Sequence, residues 1–364
     1  MERDKLITKI HQGLQAGHVG WGGLVHAQMV FQEAETGQPR RSAGAARPRT
    51  WGPTIRTMSA GSSVPAPLAA LPFTAFATLL LIALMMAANH VAARLAFDNG
   101  LDVATAVAVR SGVTALVVGA LVVLQGIRPA FTARHRRTLP AIGALVAVQS
   151  LCLYSAVARL PVALALLAFN TYPLWTALWA RVLYRHRAEP RVLRAMPVML
   201  VGLALALDVL GAASGLGAAA QWGRIGAGVA FALAAAATFG LALVLTQHEA
   251  ADVDGRVRTA LTMAMVGTLA GLAVLAQGGP HLPTAPAGWW GLAALTFLYG
   301  TAFTIMFTVL PRLGVVGNSA IMNVEPIFAL VLAWAILGQT IALMQVAGGL
   351  LVVATVVWLG LRRR

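Results

Sequence analysis

An all-α integral membrane protein, with ten transmembrane helices set as two inverted five-helix repeats, is the fold class this sequence predicts. Three observations predict it. Hydrophobic residues make up 59% of the 364 positions and charged residues only 11%, against roughly a quarter charged in soluble domains. From residue 66 onward, apolar runs long enough to cross about 30 Å of hydrocarbon follow one another with short polar breaks. Two of those runs also share a spacing: Arg159, Leu160, Val162, Asn170, Pro173 and Ala180 recur 153 residues later as Arg312, Leu313, Val315, Asn323, Pro326 and Ala333.

Residues 1–65 stand apart. They hold both lysines, Lys5 and Lys9, and a Pro, Gly, Ser and Arg-rich segment with Arg40, Arg41, Arg47, Arg49 and Arg56. A disordered, basic cytoplasmic N-terminal tail is expected. No apolar core of 7 to 15 residues follows the basic start, so a cleaved signal peptide is not. The basic cluster also suits an arm that binds anionic lipid or regulates the protein, and translation from Met58 would remove most of it. The formal net charge of +15 does not point to nucleic acid, because the cations punctuate apolar runs instead of forming one basic face. The single cysteine, Cys152, permits no internal disulfide.

The first span, 69–92, is apolar until Asn89 and His90 near its end, where His90 is expected to be a lone, wet histidine. The second, 103–124, contains Arg110. The third, 139–158, carries Gln149, Ser150 and Tyr154, the last two on one helical face. The fourth, 160–183, holds Asn170, Tyr172, Pro173 and Trp175. The fifth, 195–213, is apolar apart from Asp208 near its end, and the sixth is 224–246. The seventh, 257–276, contains Gly267-x-x-x-Gly271, a close-packing pattern. The eighth, 288–308, opens on the interfacial anchors Trp289 and Trp290 and sets Tyr299 and Phe303 on one face. The ninth, 314–337, holds Asn323, Glu325 and Pro326, and the tenth is 341–361. Each must be a helix, because backbone exposed to lipid has to satisfy its own hydrogen bonds and the runs are too continuous for a barrel.

Arginine placement orients the bundle. With the N-terminus inside, fifteen arginines fall in inner loops and the C-terminal tail, against Arg94, Arg159 and Arg224 outside, so both termini are expected in the cytoplasm. The offset of 153 carries the fourth span onto the ninth, and those two cross in opposite directions. Residues 66–213 and 224–364 therefore form an inverted pair, an arrangement transporters use to exchange inward-open and outward-open shapes.

The five-plus-five spans, the prolines midway along the fourth and ninth, and the ending PIFALVLAWAILGQ together resemble the EamA-type branch of the drug/metabolite transporter superfamily. The resemblance covers residues 66–364. It implies a central cavity bounded by the first, third, fourth, sixth, eighth and ninth spans, and export of amino acids or other small metabolites across the plasma membrane, the inner membrane of the cell. Members commonly close the fourth and ninth spans with Leu-Gly-Glu. This chain has Leu183-Tyr184-Arg185 and Leu337-Gly338-Gln339 there, with no carboxylate at either place.

Glu325 is the one acid deep within a run; about ten residues in, it lies roughly 15 Å down, near the midplane. An acid at that depth is a candidate for proton coupling or for meeting a substrate ammonium, and the bland account is a Glu that supports the break at Pro326. Arg110 can meet a substrate carboxylate, pair with Glu325, or snorkel to the outer interface, and snorkelling is the expectation. Pro173 and Pro326 each deny a hydrogen to the carbonyl four residues back, at Phe169 and Met322, and serve as candidate hinges. Asn170, Asn323, Tyr172, Trp175, Gln149, Tyr154 and Tyr299 complete the substrate-binding candidates, and Trp334 is a further possible cavity residue. For any one of them, helix packing is the competing account. No phosphate loop, His-Glu-x-x-His or cluster of metal ligands is present, so no cofactor or metal is expected. The expected function is secondary transport of a small molecule in a lipid bilayer, with a proton as candidate coupling ion and no nucleic-acid partner. The alternative is an intramembrane enzyme acting on a lipid or polyprenyl substrate.

Overall fold

The computed structural model describes residues 73–186, 190–308, 324–340 and 342–361. The N-terminal tail of the sequence reading lies outside them, as do Arg312, Met322, Asn323 and most of the first half of the ninth span. Among the described residues the chain is wholly helical, without a strand. Its helices are α1 Phe73–Asp98, α2 Val103–Leu124, α3 Ala133–Val157, α4 Val162–Phe169, α5 Tyr172–Tyr184, α6 Pro190–Ala206, α7 Ala218–Glu249, α8 Gly255–Ala276, α9 Pro286–Thr308, α10 Glu325–Leu337 and α11 Leu343–Leu361. Seven helical stretches are long and apolar enough to cross a membrane, with α4 and α5 counting as one, and three shorter apolar helices lie in α6, α10 and α11.

Local chemistry fixes the boundaries. Asp102 caps α2 by accepting the Thr105 N–H, Asp254 caps α8 by accepting that of Arg256, and Thr132 with His135 forms a capping box at α3. Helix α1 runs six residues beyond its expected end. The reason is charge pairing: Arg94 donates to the Asp98 carboxylate one turn on, at 2.9 Å, and also to the Val157 and Leu160 carbonyls at the end of α3. An apparent polar boundary is thus a neutralised pair that the helix carries along. Helix α3 likewise starts six residues early, taking in Arg134, Arg136 and Arg137.

The fourth span is broken. Helix α4 ends at Phe169, Asn170 and Thr171 form a turn, and α5 restarts with Pro173 in its first turn, where a missing N–H costs nothing. Every residue from Val162 to Ala168 is buried, so α4 forms the centre of the bundle.

The repeat is legible in the helix boundaries. Helices α3, α5 and α6 start 153 residues before α9, α10 and α11. Helices α5 and α10 are each 13 residues long and close on a residue in left-handed conformation, Arg185 (φ 56°) and Gly338 (φ 64°), whose N–H groups bond Ala180 and Ala333. Packing is exchanged between the halves. Helix α1 lies against α9 and α10, α7 against α3, α4 and α5, α2 against α8, and α6 against α11. Loops expected on one side of the membrane are also those that touch. The 99–102 loop binds the 277–285 loop through Asp102, Gln277, His281 and Thr284, while Gln339 accepts the Val162 N–H at 3.1 Å. At the other end Arg134 pairs with Glu249 and His135 with Asp252.

Candidate functional site

A group of polar and ionisable residues converges from five helices. Asn89 and His90 come from α1, Arg110 from α2, Gln149, Ser150 and Tyr154 from α3, Tyr299 from α9 and Glu325 from the first turn of α10. Tyr154 is the hub. Its hydroxyl donates to Asn89 Oδ1 at 2.9 Å and accepts from an Arg110 terminal nitrogen at 2.9 Å. The other Arg110 terminal nitrogen donates to Ser150 Oγ at 3.1 Å, and Ser150 faces Gln149 Oε1 at 3.4 Å.

Arg110 does not snorkel. It is 2% exposed, with its guanidinium 3.9 Å from the Tyr299 ring centre and 4.4 Å from that of Tyr154. Two electron-rich faces partly replace the water that the cation gives up. Helix α2 permits this because Arg110 sits about 10 Å along the helix on the side facing α3 and α9, so its short route leads into the bundle. It does not pair with Glu325 either. That carboxylate is 3.4 Å from His90 Nε2, with Oε1 outside hydrogen-bond geometry. His90 is therefore not the wet residue expected: it is 3% exposed and edge-on to Tyr154, since α1 continues well past it. Among the described residues, Asn89 Nδ2, His90 Nδ1, Arg110 Nε, Glu325 Oε1 and Asn170 Nδ2 are five of the eight side-chain atoms buried without a hydrogen bond.

Tyr172 and Trp175 lie in the first turn of α5, past the break in the fourth span. Tyr172 packs in an aromatic group with Phe169 and Phe239, and the Trp175 backbone and Cβ lie against α7 at Gly240. Asn170 is buried at the turn between α4 and α5. Pro173 and Pro326 each stand in the first turn of their helices, α5 and α10, at matching places. Trp334 turns outward and is 64% exposed, so it does not face the interior; position 334 lies on the α10 side away from the buried Ala329 and Ala333. The glycine pattern of α8 is half used, because Gly267 lies against Gly112 while nothing approaches Gly271.

The sequence reading missed a second cluster, at the end of the bundle opposite Gln339. Glu249 accepts from Arg134 at 2.5 Å and from the Tyr184 hydroxyl at 2.6 Å, and the Tyr184 ring stacks on His248 at 3.9 Å. His135 Nδ1 accepts the Thr132 N–H, which leaves Nε2 to donate to Asp252 at 3.0 Å. Tyr184, one of the residues replacing the expected Leu-Gly-Glu, was the available signal.

The profile of the EamA-like transporter family matches residues 73–207 and 226–361, each half once. A solved crystal structure of a protein is similar in fold, with a TM-score of 0.52 and 19% identity over 79% of this chain and 98% of that one. No curated protein matches.

Proposed function

We propose that this chain, which belongs to the EamA-like transporter family and is an integral membrane transporter of the drug/metabolite superfamily, exports amino acids or other small metabolites by alternating access. Transport runs through a midplane site between two inverted five-helix halves, 66–213 and 224–364, in the plasma membrane with both termini cytoplasmic. The observation that carries this reading is the convergence of Asn89, His90, Arg110 and Tyr154 from the first half with Tyr299 and Glu325 from the second. Buried ionisable groups where two halves meet, beside a broken helix, are what a substrate pathway requires. The exchanged packing and the pairing of same-side loops support the inverted arrangement. The arginine count in the loops supports the orientation.

Glu325 carries the coupling proton in this reading, with His90 as its neighbour, and Pro173 and Pro326 serve as hinges. Asn170 and Asn323 serve the same site in this reading, with Tyr172, Trp175 and Gln149 shaping it. The test is counterflow of metabolite pools in proteoliposomes with and without a pH gradient. Glu325→Gln should abolish pH-driven flux and leave substrate exchange; flux that keeps its pH dependence would remove Glu325 from the coupling role.

A further inference from the structure

The charges of the buried cluster do not balance locally. The Arg110 guanidinium is 2% exposed and hydrogen-bonds only to hydroxyls, those of Tyr154 and Ser150. Among the described residues no carboxylate comes within 4 Å of it, and Glu325 lies beside His90, 3.4 Å from its Nε2 and without a hydrogen bond. Two tyrosine rings lie against the guanidinium, their centres 4.4 Å and 3.9 Å from its carbon. Nε has no hydrogen bond, which leaves that edge of the guanidinium free of a partner, and the amide nitrogen of Asn89, whose oxygen Tyr154 engages, has none either. Both unused groups are donors. A buried arginine with an unpaired Nε has the donors that recognise a planar anion through two parallel N–H bonds.

We infer that Arg110, clamped between Tyr154 and Tyr299, is the anion-recognition point of the site, and that the molecule bound there carries a carboxylate. This rests on the transport reading for its purpose, but not for its chemistry. A carboxylate on the free edge satisfies Nε and supplies the opposite charge that a deeply buried guanidinium lacks. A neutral amide of the same shape offers one acceptor and no charge. The site should thus separate acids from their amides, whatever the remainder of the molecule.

Purified full-length protein in detergent, at constant ionic strength with chloride present throughout, provides the test. Benzoate and butyrate are compared with benzamide and butyramide by thermal unfolding. At saturation the acids should raise the midpoint by about 3 °C or more and the amides should not. Arg110→Lys keeps the charge but loses the planar fork, and should weaken the acids roughly 10- to 100-fold; Arg110→Gln should abolish their effect. Equal shifts from acids and amides in the native protein overturn the inference without recourse to any variant. So do shifts from phosphate or added chloride with none from the acids, and acid shifts that survive in Arg110→Gln. Counterflow of labelled benzoate separates the two readings. Acid-selective, Arg110-dependent binding without counterflow of any pool defeats the transport reading alone, whereas counterflow indifferent to Arg110→Gln defeats the anion site alone.

Discussion

Tyr154 ties α1 to α2 within the buried cluster, since one hydroxyl serves both Asn89 and Arg110. Tyr154→Phe keeps the ring under the guanidinium but leaves Asn89 Oδ1 and an arginine N–H unpaired. Thermal unfolding should show a loss of about 1–3 kcal/mol, whereas Tyr299→Phe, whose hydroxyl meets only the Met263 sulfur at 3.7 Å, should cost less. At the end of the bundle that holds Gln339, Asp102 is partly buried, which opposes its charge, but hydrogen bonds from Thr105, Gln277 and His281 outweigh that and hold its carboxyl below the usual carboxylate range. A lowered folded value means that its stabilising contribution is present above the unfolded pKa and lost as pH falls through the folded one. The stability gap between native protein and Asp102→Asn should therefore be constant near neutrality and close only in acid, as unfolding at stepped pH can measure. That a cluster existed was legible residue by residue, because Arg110 and Glu325 are conspicuous in apolar runs. How they pair was not: burial depth alone cannot say that an arginine turns inward onto two tyrosines, or that a histidine beside an apparent span end is still mid-helix.

At the scale of elements, helix positions followed from apolar runs, and the errors came where charges neutralise each other. Arg94 and Asp98 looked like a boundary and are a pair within α1. The break in the fourth span was foreshadowed by Pro173, yet its two-residue turn and the burial of α4 depend on contacts from both halves. Close approach of helices was the least legible feature, since Gly267 and Gly271 look alike in sequence. A Cβ at Gly291 would lie 2.7 Å from the Ala92 carbonyl oxygen, whereas one at Gly271 meets nothing within 4 Å. Gly291→Ala should separate α1 from α9 and cost about 1–3 kcal/mol. Gly271→Ala should be neutral or slightly stabilising, up to about 1 kcal/mol. Parallel melts of the two variants check the pair.

For the whole molecule, sequence periodicity revealed that two halves exist, but not that they interlock. Because α1 and α7 each find their main neighbours in the opposite half, neither half contains its own core. Residues 1–213 and 214–364 expressed separately should each be degraded or aggregate, while co-expression restores a complex that co-purifies and transports. Recovery of either half as a folded monomer would contradict the exchanged packing. The same interlock acts in time. At about 5–20 residues per second, roughly 10 to 50 s separate synthesis of His90 from that of Glu325. Through that interval α1 has Tyr154 of α3 against Asn89 and His90 but lacks α9 and α10, so the side of α1 that those two helices cover faces lipid or another protein. The nascent chain therefore has to be sheltered by the insertion machinery until its second half arrives, and the longest wait falls on the helix that carries part of the site.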